Sequence, residues 1–486
     1  MHGIFLSACV PHRKTAIYRP LGPYQVAWYL REHGYDIQVI DFVYALENDQ
    51  IEALIEKFIT PETKFIGYGM MSDPNNPNII SLKTKFGTLM MSLRKKYPQL
   101  KFIFGGPNIH VWSPRFANGS LFDYYVKGYG EDQTLALFNH VYKGTAHPPF
   151  EITDGNKHLP EHIVTDEIKH FKFNTSRHKW HSSDCIQPGE SLPIEFARGC
   201  IFKCAFCRFP HIGKGKNDFT REMECIKEEL IYNYENFGTT VYFVTDDTFN
   251  ADNNFVIAFT EMSKSLPFKL QYVAYTRADL IHAHPEQEDM FLENGMVSTF
   301  FGIETFHPED SKMVGKAWSG KHAKDYVPYL YNEKWQKQIH LTMGLIIGFP
   351  NEYYEDFSKV NQWIVDNNIP SAMWHPLNIW RGPMYYKSEF DLNAEKYGFK
   401  FRVVEGRQIW YTDHCDEFIA MDWASTLNNE LKSKQTPSTW ALTELSTLGL
   451  PLKETAKTFN QNINWQLVEQ KFNDFLKNYI KDLWAL

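Results

Sequence analysis

The chain has 486 residues, more than one hydrophobic core usually supports, so the length predicts two or three packed domains. Hydrophobic residues make up 43% and charged residues 22% of the sequence, as in an ordinary globular protein. A net charge of -8 gives no clear signal of nucleic-acid binding. The sequence has no apolar run long enough to cross a bilayer and no secretory leader, so we expect a cytoplasmic protein without a membrane span.

The first 150 residues alternate short β-branched or aromatic runs with longer amphipathic stretches. This pattern is typical of a parallel sheet flanked by helices, and predicts a flavodoxin-like or Rossmann-like domain with five strands. We place these strands at Gly3–Ala8, Asp36–Phe42, Lys64–Met70, Lys101–Gly105 and Tyr124–Gly128. Ligands bind such sheets at the carboxyl ends of the strands, where glycines permit close approach of the backbone.

Residues 151–189 are polar and lack periodicity, so we interpret them as a linker. Residues 190–387 return to alternation and contain six βα units, which predicts a partial, TIM-like (β/α)6 barrel. Its strands are expected near Ile194–Ala197, Thr240–Val244, Leu270–Tyr275, Ser298–Ile303, His340–Ile347 and Ala372–Leu377. Residues 388–486 are predicted to form a mainly helical extension that caps the barrel and selects the substrate.

Three cysteines, Cys200, Cys204 and Cys207, follow directly after the first barrel strand. Three thiolates on one short loop can bind three irons of a 4Fe-4S cluster and leave the fourth iron open to another ligand. The alternative is a structural zinc site, which normally requires four ligands around one ion. Cys415 lies outside this group, and its residue type alone fits either a catalytic thiol or an inert buried cysteine.

The spacing C-x3-C-x2-C resembles the signature of the radical S-adenosylmethionine (SAM) superfamily. This resemblance implies a 4Fe-4S cluster that cleaves SAM reductively to a 5′-deoxyadenosyl radical. It also implies an external one-electron reductant, either flavodoxin-like or ferredoxin-like. Phe206 matches the aromatic residue that family members place beside the adenine of SAM.

Later strand ends resemble further elements of that superfamily, in the same order along the chain. The segments are Phe243–Phe249, Tyr275–Asp279, Phe301–Glu304 and Gly344–Glu352. The resemblance implies SAM-binding roles for Asp247, Arg277, Glu304 and Gly348. Alternation along the strand allows only one of Asp246 and Asp247 to face inward, and we favour Asp247. Salt bridges at the loop ends, and a helix N-terminal charge at Glu352, are the competing interpretations.

A Rossmann-like domain followed by a linker and such a barrel resembles the cobalamin-dependent class of radical SAM enzymes, over about residues 1–385. The implied cobalamin-binding residues lie at the strand ends of the first domain: Ser72, Gly105, Gly106, Gly128, Gly130 and Glu131. The sequence contains no Asp-x-His-x-x-Gly motif, so cobalt ligation by a histidine of that motif is not supported.

Cobalamin binding would imply methylation of an unactivated carbon. The alternatives are a radical rearrangement, cyclisation or oxidation without methyl transfer, and a non-catalytic structural metal-binding module. The sequence identifies neither a substrate nor a catalytic residue, and aromatic side chains such as Trp410 fit the core as well as a substrate cavity.

Overall fold

The computed structural model describes residues 1–9, 17–71, 85–106, 122–126, 128–146, 150–151, 161–163, 171–208, 219–316, 318, 320–381 and 387–486. These residues form two compact units. The first contains the described residues of 1–188 together with 469–486, and the second contains those of 189–381 and 387–468. No helix in the described part of the chain is both long and apolar enough to cross a membrane.

The first unit is built on a seven-stranded sheet with strand order β2-β1-β3-β4-β5-β7-β6. Its strands are β1 (Gly3–Cys9), β2 (Ile37–Ile40), β3 (Phe65–Met71), β4 (Lys101–Gly105), β5 (Tyr124–Val126), β6 (Phe150–Glu151) and β7 (Glu161–Ile163). The five predicted parallel strands are confirmed. The prediction missed β6 and β7, because strands of two and three residues are too short to show alternation.

Amphipathic helices cover this sheet, at Leu21–Glu32, Asn48–Phe58, Lys85–Lys96 and Glu131–Lys143, joined by residues 469–485 of the last helix. Local signals set their ends. Glu47 and Gln50 form a capping box at the start of Asn48–Phe58. Gly144, at φ +67°, ends Glu131–Lys143.

Residues 171–188, predicted as part of a linker, instead pack into the first unit. Trp180 is fully buried, with its ring centroid 4.6 Å from that of Tyr24. Arg31 pairs with the buried Asp184 at 2.8 Å, and Arg19 donates to the main-chain oxygens of Asp184 and Cys185 at 3.0 and 2.9 Å. Internal hydrogen bonds therefore explain part of the polar composition that indicated a linker.

The second unit contains six parallel strands in the order β13-β12-β11-β10-β9-β8, as predicted for the partial barrel. They are β8 (Leu192–Ile194), β9 (Val241–Val244), β10 (Gln271–Thr276), β11 (Met296–Glu304), β12 (His340–Ile347) and β13 (Ser371–Pro376). The connecting helices are Met223–Phe237, Asn253–Lys264, Ala278–Ala283, Glu286–Glu293, Pro308–Met313, Gly320–Pro328 and Tyr354–Asp366.

Residues 387–468 belong to the barrel unit rather than to a separate domain. They contain an antiparallel hairpin, β14 (Lys400–Val404) and β15 (Arg407–Tyr411), which the prediction of a mainly helical extension did not include. Their helices are Glu389–Asn393, Glu417–Leu431, Thr439–Thr447 and Leu452–Thr455. Helix Thr439–Thr447 packs on the barrel strands, with Leu442 in one core cluster with Phe243 and Val273.

Candidate functional site

The cysteine loop leaves the barrel at a fixed point because a buried carboxylate holds its first residues. Asp246, directly after β9, accepts a hydrogen bond from the backbone N–H of Phe196 at 2.7 Å and a second from that of Ala197. Gly199 then adopts φ +78°, a conformation that glycine takes without strain. The chain therefore turns immediately before Cys200.

Main-chain hydrogen bonds and one ion pair fix the rest of the loop. The backbone N–H of Ala205 donates to the oxygen of Val314 at 3.1 Å, and that of Phe390 donates to the oxygen of Ala205 at 2.9 Å. Arg208, next to the last cysteine, forms two bonds of 2.6 and 2.7 Å to the carboxylate of Asp391, which is fully buried. The loop is thus bound on both sides before any ligand is added.

Cys200, Cys204 and Cys207 form no disulfide and are all partly exposed. Among the described residues, no three His, Cys, Asp or Glu side chains are grouped so as to hold a single metal ion. A 4Fe-4S cluster does not need such convergence, because each thiolate binds a different iron, whereas one zinc ion does. Three cysteines outside disulfides on one anchored loop have the donor chemistry of the cluster that the spacing predicts.

Arg277 lies against this loop. Its guanidinium binds Asp279 through two nitrogens, at 3.0 and 2.5 Å, stacks over the ring of Phe202 at 4.1 Å, and directs a third nitrogen to the Sγ of Cys204 at 3.8 Å. The competing interpretation of Arg277 as a salt-bridge residue thus describes part of its contacts. The rest of them place a permanent positive charge beside Cys204.

Glu304, at the end of β11, has φ +67°, where the register with β12 shifts. A non-glycine residue in this region is strained, and such strain is concentrated at functional sites. Lys316 accounts for part of the arrangement: its Nζ lies 3.3 Å from the carboxylate of Glu304 and donates to the oxygen of Gly302 at 2.8 Å. Burial raises the pKa of the Cys204 thiol, while the charges of Lys316 and Arg277 oppose that change.

Asp246 and Asp247 differ in their surroundings. Asp246 is buried and accepts hydrogen bonds from the cysteine loop, as described above, whereas Asp247 is partly exposed. Burial raises the pKa of Tyr275, and the charge of Asp247 raises it further. Thr248, the next residue, connects Asp247 to the cysteines: its Oγ1 lies 3.4 Å from the Sγ of Cys200. Asp246 is therefore the carboxylate that holds the loop backbone.

Gly348, at φ +122°, follows β12, and the position that a Cβ would take there lies 2.5 Å from the ring of Trp410. Trp410 is completely buried and donates its indole N–H to the oxygen of Leu377 at 3.0 Å. Phe206 has its ring centroid 6.4 Å from that of Phe349, the neighbour of Gly348. The missing side chain at Gly348 thus leaves room for the indole of Trp410, which lies on β15 and belongs to the core.

Glu352, for which a helix N-terminal charge was the competing interpretation, is buried and lies two residues before helix Tyr354–Asp366. Burial raises its pKa well above the ordinary value, and Thr305 donates a hydrogen bond to it. The backbone N–H of His307 donates to the hydroxyl oxygen of Thr305 at 2.9 Å. Glu352 therefore supports the turn that follows Glu304.

The predicted cobalamin residues lie in the first unit, at the ends of β4 and β5, which are paired. Among the described residues, nothing lies within 4 Å of the position that a Cβ of Gly105 would take, and Gly106 and Gly128 have φ +133° and +64°. Gly130 precedes helix Glu131–Lys143, whose first residue is buried. Ser72 lies outside the described residues. Open glycine backbone at the carboxyl edge of a parallel sheet is where such folds accept ligands, so the described residues fit a large flat cofactor.

Sequence reasoning did not find Lys316, Thr248 or Asp391, although each contacts the cysteine loop or its neighbours. Lys316 and Asp391 carry no motif, and only the fold brings them near. Thr248 follows the predicted Asp247 in the sequence, so its hydroxyl could have been considered as part of the site.

Residues 194–364 match the family model of the Radical SAM superfamily. The chain thus contains a radical SAM domain and is an enzyme. That fold implies a 4Fe-4S cluster and SAM as its cofactors.

Two curated relatives are methyl-transferring enzymes by name. The chain is 23% identical over 456 residues to the hopanoid C-3 methylase of Methylococcus capsulatus (strain ATCC 33009 / NCIMB 11132 / Bath). The aligned region covers 86% of this chain and 81% of that protein. It is 24% identical over 204 residues to an uncharacterized methyltransferase of Synechocystis sp. (strain ATCC 27184 / PCC 6803 / Kazusa), covering 39% of this chain and only 37% of that protein.

Two solved structures share the fold along nearly the whole chain. The radical SAM methyltransferase TsrM from Kitasatospora setae, with tryptophan substrate and a SAM analogue bound, matches with a TM-score of 0.65 at 13% identity, covering 98% of this chain and 99% of that one. The cobalamin-dependent radical SAM enzyme OxsB, with aqua-cobalamin and SAM bound, matches with a TM-score of 0.60 at 13% identity, covering 99% and 80%.

Proposed function

We propose that this protein is a cobalamin-dependent radical SAM methyltransferase that methylates an unactivated carbon. In this proposal Cys200, Cys204 and Cys207 bind the 4Fe-4S cluster in the second unit, and the carboxyl edge of the first unit's sheet binds cobalamin. When bound, the cluster supplies the electron that breaks the S–C5′ bond of SAM, and cobalamin supplies the methyl group.

The single observation that carries the proposal is the anchored loop with three cysteines at the carboxyl end of a six-stranded parallel barrel. Such a barrel places its reactive groups at this end, where loops from several strands meet. Asp246 and Asp391 hold the loop in place through its backbone and Arg208, so the thiols keep their positions. The protein thus holds the cysteine loop in place, and the bound cofactor would supply the radical chemistry.

The residues around the cysteine loop fit the two charged ends of SAM. Asp247 offers a carboxylate for the amino group, and Arg277 offers a cation for the carboxylate, through the nitrogen that now points to Cys204. Phe206 is proposed to stack on the adenine, with Glu304 and Gly348 beside the ribose and the ring. Each of these roles remains a proposal that substitution can test.

Cobalamin binding is supported by the open backbone at Gly105 and by the positive φ of Gly106 and Gly128. It is also supported by the names of the relatives: TsrM and OxsB are cobalamin enzymes with the same fold, and the methylase of Methylococcus spans most of this chain. An external flavodoxin-like or ferredoxin-like protein is proposed as the electron donor, and the cytoplasm as the location.

The test is an analysis of the products of SAM. The reconstituted protein is incubated without oxygen with SAM, hydroxocobalamin and a low-potential reductant, and 5′-deoxyadenosine and S-adenosylhomocysteine are quantified. Methyl transfer predicts S-adenosylhomocysteine that depends on cobalamin, alongside 5′-deoxyadenosine. If 5′-deoxyadenosine forms alone and its yield ignores cobalamin, the enzyme is a radical SAM enzyme of the rearranging, cyclising or oxidising kind.

A protein that yields neither product and binds no iron is instead a structural metal-binding module, and the proposal fails. The matched control is Cys204→Ala, which removes one cluster ligand and leaves the first unit intact. It should lose 5′-deoxyadenosine formation completely.

A further inference from the structure

Two cations, the buried Arg277 and the partly buried Lys316, act on one of the three cysteines. Arg277 directs a nitrogen to the Sγ of Cys204 at 3.8 Å, and Lys316 acts on the same thiol through its charge. Its neighbour Gly315 faces the loop closely: a Cβ added there would lie 4.0 Å from the Cα of Cys204. The cysteine loop is also bonded to this segment, through Ala205 and Val314 at 3.1 Å.

Both cations are held in place by their own carboxylates. Lys316 is 11% exposed and pairs with Glu304, while Arg277 is 7% exposed and pairs with Asp279. Lys316 also donates to the oxygen of Gly302 at 2.8 Å, which fixes its ammonium at the end of β11. A lysine that is only 11% exposed loses part of its hydration, and its pairing with Glu304 and bond to Gly302 offset that cost.

We propose that Lys316, together with Arg277, raises the reduction potential of the 4Fe-4S cluster by stabilising its reduced state through Cys204. The inference rests on the proposed function, since it requires the cluster. Reduction adds one electron to a cluster that already carries three thiolates, so a nearby positive charge favours the reduced form. Lys316 is thus a positioning residue for charge rather than a ligand.

The experiment measures the midpoint potential of the cluster in the full-length, anaerobically reconstituted protein without SAM, by a redox titration followed by electron paramagnetic resonance. Lys316→Met should shift the potential to a more negative value. Lys316→Arg keeps the charge and should stay close to the wild type. The matched control is Lys312→Met, which removes the same charge from the exposed residue one helical turn earlier and should give no shift.

A variant with the opposite sign completes the test. Glu304→Gln removes the counter-charge of Lys316 and should move the potential to a more positive value than that of the wild type. It also decides the matter if Lys316→Met fails to bind iron, because its shift has the same origin. The inference is overturned if Lys316→Met and Lys312→Met have equal potentials, or if Glu304→Gln leaves the potential unchanged. A wild type without iron would overturn the proposed function instead, so the two failures are distinguishable.

Discussion

The carboxylate of Asp246 accepts a hydrogen bond of 2.7 Å from the backbone N–H of Phe196 and thereby ties the end of β9 to the start of the cysteine loop. Burial raises the pKa of Asp246 well above its ordinary value, and the hydrogen bonds from Phe196 and Ala197 oppose the increase. The neighbouring Asp247 is partly exposed, whereas Asp246 is buried. Two adjacent carboxylates thus have separable tasks.

Asp246→Asn should therefore destabilise the fold, since an amide offers one acceptor oxygen where the carboxylate offers two. We expect a loss of about 1–3 kcal/mol in the free energy of unfolding, measured by urea denaturation. Asp247→Asn should unfold like the wild type but bind SAM more weakly in a calorimetric titration of the reconstituted protein. Equal stability of the two variants would contradict the assignment of Asp246 to the loop.

Replacement of a cluster ligand should be distinguishable from replacement of an inert cysteine. Cys204→Ala should lose bound iron after reconstitution, because one iron of the cluster is left without its thiolate. Cys415→Ala should keep the wild-type iron content: burial raises the pKa of Cys415 to about 12, so it stays a neutral thiol. Iron and sulfide analysis makes the comparison, and a loss of iron in Cys415→Ala would show that this cysteine takes part in the site.

Gly348→Ala should destabilise the second unit. The added Cβ would lie 2.5 Å from the Trp410 ring, and φ +122° is strained for any residue with a side chain. Overpacking of this kind costs about 1–3 kcal/mol, measured as a lower melting temperature. Gly22→Ala is the control: it lies in helix Leu21–Glu32 with open space around the new Cβ, and should melt at or slightly above the wild-type temperature. A Gly348→Ala protein that melts like Gly22→Ala would contradict the packing of Trp410.

Asp41 should make the free energy of unfolding decrease as the pH rises from about 4 to about 6. Burial raises its pKa from 3.8 to about 6, against the opposing effects of Arg19 and of the hydrogen bonds from Phe42 and Tyr24. Between these two pKa values the native state keeps a proton that the unfolded chain has released, so the free energy of unfolding decreases as pH rises. The shift of about two pKa units corresponds to about 3 kcal/mol.

Asp41→Asn should remove this decrease, as measured by urea denaturation at several pH values. The control is Asp36→Asn, because Asp36 is largely exposed and its replacement should keep the wild-type slope. If the curves of Asp41→Asn and the wild type are parallel between about pH 4 and pH 6, the pKa of Asp41 is not raised.

Periodicity predicted the chain order and type of the strands well, because β1 and β12 are short, mostly apolar segments of seven and eight residues between turn signals. It failed for residues 171–188, whose buried Trp180 and Asp184 are separated by polar residues with no regular period. Their burial depends on Arg19 and Arg31, more than 150 residues away along the chain. No local pattern can reveal such a partner.

The cysteines could be identified from their spacing alone, because the ligand geometry of a cluster is encoded in one short loop. The cations beside them could not. Lys316 reaches the site because Pro308–Met313 is followed by a turn at Gly315, and Glu304 meets it only because β11 ends with a positive φ. Roles that depend on the fold of separate segments become visible only in three dimensions.

The central claim is tested most directly by the metal content of the protein. The chain is purified without oxygen, its cluster is reconstituted, hydroxocobalamin is added and its excess removed, and bound iron, cobalt and zinc are measured together. The account predicts about four irons per chain, the content of one 4Fe-4S cluster, with cobalt in an amount equal to the protein. Iron without cobalt would contradict the cobalamin-dependent methyltransferase, and zinc without iron would contradict the radical chemistry as a whole.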